Sequence, residues 1–180
     1  MRPMFSTTNS SQVDLVSGLR RGPGPVGQGR SVWKFLRART PATASLTMRV
    51  ALTTAMVGGA ALIGASGLIH LHLWAAGYRN IPTIGPLFLV QAIVAFLVSI
   101  ALVTTRRLGS ALLGVAFLAS TAGGLFVSAS VGLFGFHDGV NAPWAGVSLL
   151  VEGIGVAVLT VAGLAMARSN RPPDSLTLDR

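Results

Sequence analysis

The chain has 180 residues, enough for one domain, of which 51% are hydrophobic and 11% charged, where soluble globular proteins carry about 25% charged. It has no cysteine, which excludes disulfides, thiolate metal sites and cysteine nucleophiles. A net charge of +9 would suggest a nucleic-acid partner in a soluble chain, but here the basic residues flank apolar runs, so membrane orientation accounts for them and no nucleic acid is expected.

Residues 1–48 are polar, Ser/Thr-rich and then Gly/Pro-rich in RRGPGPVGQGR. Such a stretch buries too little apolar surface to offset its ordering entropy and is expected to form a disordered basic tail. Within it, Trp33, Phe35 and Leu36 alternate with Lys34, Arg37 and Arg39. That pattern suits either an interfacial helix on anionic lipid or a plain cationic flank. Met48-Arg49 reads as an alternative start, which would make the tail dispensable.

A four-span domain is expected over residues 49–168, with spans at about 50–73, 84–105, 108–136 and 142–167 and a short tail at 169–180. Each run is uncharged or nearly so and long enough to cross a hydrocarbon core, which takes about 20 helical residues at about 1.5 Å each. A transmembrane barrel would show shorter segments of alternating polarity. The fold class is therefore all-α, an antiparallel bundle of four membrane helices. Span 1 carries Ala51, Ala55 and Gly59 at four-residue spacing. Span 2 opens at Thr83-Ile84-Gly85-Pro86, where Thr83 or Gly85 can cap and Pro86 fits the first turn. Span 3 holds a row of small residues, Ala116, Ser120, Gly124, Ser128 and Gly132, expected to face another helix, since small side chains let backbones approach closely in lipid.

Orientation follows from the flanks. Arg30, Lys34, Arg37, Arg39, Arg49, Arg106, Arg107, Arg168 and Arg171 lie on one side, and Arg79 alone on the other. Both termini are thus expected in the cytoplasm of a bacterial inner membrane. Trp74, Tyr78 and Trp144 then belong to the outer aromatic belt.

The polar residues gather at that outer side. Ile69–Gln91 reads IHLHLWAAGYRNIPTIGPLFLVQ and holds His70, His72, Tyr78, Arg79 and Gln91; His137 and Asp138 sit in the second outer turn. Glu152 is the chain's only glutamate and the only acid inside a span. An ionisable residue there is costly and ordinarily faces the bundle interior or a wet cavity. From helical rise, Glu152 lies about 14 Å below the outer boundary, Gln91 about 8 Å and His70 about 6 Å. If spans 2 and 4 are neighbours, Glu152 and Gln91 can meet. The expected partners of Glu152 are therefore Gln91, His70 or the span 3 hydroxyls Ser128 and Thr121. His72 lies about 200° around the helix from His70, so the two cannot face one interior point.

Three readings of the cluster stand side by side. Glu152 fixes helix packing or helps to bind a small molecule, in a non-enzymatic accessory or envelope protein belonging to a larger membrane complex or homo-oligomer. Alternatively it handles protons or cations in a small coupled transporter. In the third, His70 and His137 are ligands in a membrane redox or metal-binding protein, although no tight spacing supports zinc or copper and no facing histidine pair supports haem. No Walker loop, dinucleotide fingerprint, nucleophile elbow or HExxH is present; no catalytic residue can be named and no cofactor is expected.

The stretch HLHLWAAGYRNIPTIGPLFLVQ resembles a pattern in small, uncharacterised four-span membrane proteins of high-GC Gram-positive bacteria. An HL-rich helix end is followed by a tyrosine, an IP-x-IG turn and an LF-rich helix. The resemblance covers Gly67–Gln91 and the four-span layout. It implies that layout and no particular chemistry.

Overall fold

The computed structural model describes residues 32–40, 44–132, 134–135, 137, 142 and 144–170. Four long helices make up most of it: α1 (Leu46–Ala76), α2 (Ile84–Thr105), α3 (Leu108–Ser130) and α4 (Ala145–Ser169). All four are long and apolar enough to cross a membrane, and the chain is a multi-pass membrane protein built as an all-α four-helix bundle.

The helix ends are set by local chemistry. The Ser45 hydroxyl accepts from the Met48 N–H at 3.2 Å and caps α1, as a serine at this position does. The chain leaves α1 through Gly77 at φ 149° and makes a 3-10 turn, Tyr78–Asn80. It enters α2 through Thr83 at φ 69°, ψ −48°, where the Ile84 N–H donates to the Pro82 carbonyl at 2.8 Å. This is a γ-turn of the rare, strained hand; Thr83 supplies the backbone entry to α2 but no side-chain cap. Between α2 and α3, Arg106 adopts a left-handed conformation, and Ser110 accepts from the Arg107 N–H at 3.2 Å while donating to the Arg107 carbonyl at 2.8 Å.

Two boundaries differ from expectation. The third span stops at Ser130, not Phe136, because Gly132 (φ 80°) and Gly135 (φ 78°) turn the chain out of the helix. The first helix begins at Leu46, inside the segment expected to be disordered. Residues 34–40 of that segment also lie against the bundle. The Leu108 N–H donates to the Ala38 carbonyl at 3.0 Å, Asn170 Nδ2 donates to the Arg39 carbonyl at 3.0 Å, and Leu36 covers Gly109. The first N–H groups of a helix have no partner within it, so the base of α3 draws an acceptor from this segment.

Around the bundle, α1 packs closely on α2 and α4, and α3 on α4, while the α2–α3 seam is thin and α2 stands across from α4. Ile63, Leu102, Leu118 and Leu159 meet at the centre, all fully buried. Gly114 makes room for them: a Cβ there would lie 2.7 Å from Leu159 Cδ1 and 3.0 Å from Ile63 Cδ1. Gly67 does the same for α1 and α2, facing the Ala95 methyl at 2.7 Å, and Ser99 donates to the Ala60 carbonyl across that interface at 2.8 Å.

The small-residue row of span 3 does not lie on such a contact. Ala116 and Ser120 are exposed, a Cβ on Gly124 would meet nothing within 4 Å, and Gly132 lies beyond the helix; only Ser128 is buried. The packed face of α3 instead carries Leu108, Ala111, Gly114 and Leu118. Leu118 seats on Gly155 and Leu108 on Gly163. Leu159 of α4 seats on Gly114 of α3 in return, so glycines on both helices receive leucines of the other and allow the close approach.

Candidate functional site

Toward the end of the bundle where α2 and α4 begin, the thin α2–α3 seam opens into a cleft of about 370 Å³, within the range of about 300–1,000 Å³ usual for small-molecule sites. Its walls are apolar, with Leu87, Phe88 and Val94 from α2 and Phe117 and Leu125 from α3. Gly124 leaves the α3 wall open. Trp144, at the start of α4, also lines it.

Polar groups line the deeper part. Glu152 is seven residues into α4, about 10 Å along the helix, and only 1% exposed. Its Oε1 accepts from two hydroxyls, Ser148 Oγ at 2.8 Å and Ser66 Oγ at 3.1 Å. Its other oxygen makes no hydrogen bond with the described residues. The expected partners Gln91, His70, Thr121 and Ser128 are not the ones used. With α2 diagonal to α4 and α1 beside it, Glu152 meets a hydroxyl of α1 and one from its own helix.

His70 and Gln91 do come together. His70 Nδ1 lies 2.8 Å from the Ser66 carbonyl, which can only accept, so Nδ1 carries the proton. In the neutral ring Nε2 is then an acceptor, and it takes a hydrogen bond from the Gln91 amide nitrogen at 3.0 Å. One backbone carbonyl thereby fixes the tautomer of His70, and the tautomer fixes the orientation of the Gln91 amide. Phe88 packs edge-on to His70 (centroids 5.3 Å) and stacks on Tyr78 (4.9 Å). That aromatic series holds the Tyr78–Asn80 turn onto the cleft wall.

The remaining candidates lie elsewhere. His72 is exposed, edge-on to Trp144 at 5.5 Å. Arg79 is exposed in the Tyr78–Asn80 turn, where its carbonyl sits over Gly85, 2.8 Å from a Cβ placed there. His137 is exposed, its ring against Gly132, and Asp138 is outside the described residues. His70 and His137 are not assembled as metal ligands: both ring nitrogens of His70 are engaged, and no three histidine, aspartate or glutamate side chains converge among the described residues.

Sequence reasoning passed over Ser66 and Ser148. The signal for both was at hand, because Ser148 precedes Glu152 by four residues and Ser66 precedes His70 by four, the spacing that puts two helical residues on one face. Compared with family models, with curated proteins and with solved structures, the chain matches none.

Proposed function

We propose that this chain is a non-enzymatic component of a bacterial cytoplasmic membrane that holds a small amphipathic molecule in the cleft between α2 and α3. The observation carrying this reading is a carboxyl group lining an apolar cleft on a thin helix seam. Helices that only needed to pack would close that seam, and a glutamate needed only for packing would have both oxygens bonded within the bundle. The cytoplasmic placement of both termini rests on the arginine and lysine flanks, and the bacterial origin on the resemblance over Gly67–Gln91.

The test is to purify the full chain in a mild detergent, extract what accompanies it, and identify the extract by mass spectrometry. A defined small amphiphile should be retained by the wild type and lost from Gly124→Phe, which fills the cleft from α3. Recovery of nothing but detergent and bulk lipid from both proteins would reject the reading.

A second reading, a small proton- or ion-coupled transporter, is favoured by one feature: the cleft runs from Glu152 to the outer helix ends at Ile84 and Trp144. Ion- or pH-driven flux in liposomes, abolished by Glu152→Gln, would establish it.

A further inference from the structure

Around Glu152 the hydroxyl donors are committed and the acceptors are not, while the Trp144 indole N–H lies at the other end of the cleft. A hydroxyl has one proton to donate, and those of Ser66 and Ser148 both go to Glu152 Oε1. Ser120 and Thr121 both donate to the Phe117 carbonyl, at 2.7 and 2.9 Å. The Gln91 amide has one N–H directed to His70, leaving its second as the uncommitted donor among these five residues. The uncommitted acceptors are stronger: the second carboxyl oxygen of Glu152 and the amide oxygen of Gln91, neither bonded to a described residue. No lysine or arginine occurs in Val50–Leu73, Ile84–Thr105, Leu108–Ser130 or Ala145–Ala167, so these helical stretches bring no cation to this carboxyl.

The size of the cleft bears on its occupant. About 370 Å³ is near the lower end of the range for small-molecule sites, which suits one slender chain lying between α2 and α3.

We infer that the cleft takes an amphiphile whose polar end is an ammonium, a protonated amine that lies against Glu152 with its apolar body between α2 and α3. This rests on the cleft reading above. An ammonium is all donor and no acceptor, which complements the carboxyl and amide oxygens, and it supplies the positive charge that the spans lack. The same chemistry is available from a free lipophilic amine and from an amine-headed phospholipid.

The experiment compares three probes with one tail, decylamine, 1-decanol and decanoate, on the full chain in maltoside detergent, read by thermal unfolding and, with Trp33 and Trp74 replaced by phenylalanine, by the fluorescence of Trp144. Decylamine should stabilise the wild type and bind about tenfold or more tighter than 1-decanol, the worth of one charge-assisted contact. Decanoate should do neither. Glu152→Gln should erase the preference, and Gly124→Phe should block all binding. If 1-decanol or decanoate equals decylamine on the wild type, the ammonium assignment is overturned whether or not Glu152→Gln folds. The cleft reading then survives if Gly124→Phe still blocks the probes. If no probe binds any of the proteins, both fail together. In nanodiscs, wild-type retention of phosphatidylethanolamine over phosphatidylcholine, lost in Glu152→Gln, assigns the ammonium to a lipid. Decylamine binding without that retention assigns it to a free amine.

Discussion

Gln91 on α2 donates to Nε2 of His70 on α1 across 3.0 Å, and this bond is legible only through a third group, the Ser66 carbonyl that holds the proton on Nδ1. The expected outcome is that the nitrogen-15 spectrum of labelled protein shows His70 as the Nδ1-protonated tautomer, the minority form for a free histidine. Gln91→Leu removes the donor and leaves Nε2 buried beside Phe88. The thermal unfolding of that variant should show a loss of about 1–2 kcal/mol, the scale of one interhelical hydrogen bond with its acceptor stranded. An Nε2-protonated signal would show the Gln91 amide turned the other way, with its oxygen toward the ring.

Two glycines of α3 separate packing from cleft. At Gly114 a Cβ would press on Leu159, Ile63 and Leu102 within 3.3 Å, all of them branched side chains from other helices with no room to withdraw. Gly114→Leu should cost about 1–3 kcal/mol or more by overpacking. Gly124→Leu should be nearly neutral, because nothing lies within 4 Å of the new Cβ. Thermal unfolding of the two variants in one detergent decides it. Equal losses would place Gly124 on a helix contact after all.

The four helices were legible because the bilayer sets a minimum length and excludes charge, and both constraints are written in composition. The position of Glu152 in the interior followed from the same physics. Its partners did not, since they depend on which helices are neighbours. Four antiparallel helices can close in more than one order, and the span 3 hydroxyls were the ones expected; α3 and α1 both lie beside α4, but Glu152 takes its bond from Ser66 of α1. The row from Ala116 to Gly132 misled for a related reason. Four-residue spacing reports a helix face but not what faces it, and here Leu118 and Leu108 on another face seat on glycines of α4. The open α2–α3 seam has no sequence signal at all, because it is a contact that is not made.

The amino-terminal segment gives a prediction opposite to the one composition suggests. A chain starting at Met48 would lack the Ala38 carbonyl that accepts from Leu108 N–H and the Arg39 carbonyl that accepts from Asn170. It would also lack Leu36 over Gly109 and the Ser45 hydroxyl that caps α1, so the comparison needs a Ser45→Ala chain beside it to set the cap's share apart. Relative to a chain starting at residue 32, it should lose about 1–2 kcal/mol, two modest hydrogen bonds partly replaced by water. Equal melting temperatures would mean that these contacts contribute nothing to the bundle.

Glu152 is where the structure makes its most specific demand. Its Oε1 is the acceptor for two buried hydroxyls, from Ser66 and Ser148, so what must be preserved for stability is an oxygen at that point and not a charge. Glu152→Gln keeps the oxygen and sets the amide nitrogen toward the cleft, and it should unfold within about 0.5 kcal/mol of the wild type, as substitutions that leave no group stranded do. Glu152→Leu keeps the volume and removes the acceptor. Ser66 and Ser148 can each turn to a carbonyl one helical turn back, which limits the loss to about 1–3 kcal/mol. Adding Ser66→Ala and Ser148→Ala to Glu152→Leu should then restore part of it, because replacing donors and acceptor together leaves nothing unsatisfied. Chemical or thermal unfolding of the four proteins measures this directly. If Glu152→Gln were as damaging as Glu152→Leu, the carboxyl would be stabilising the bundle through its charge, and the two serines would not account for its burial.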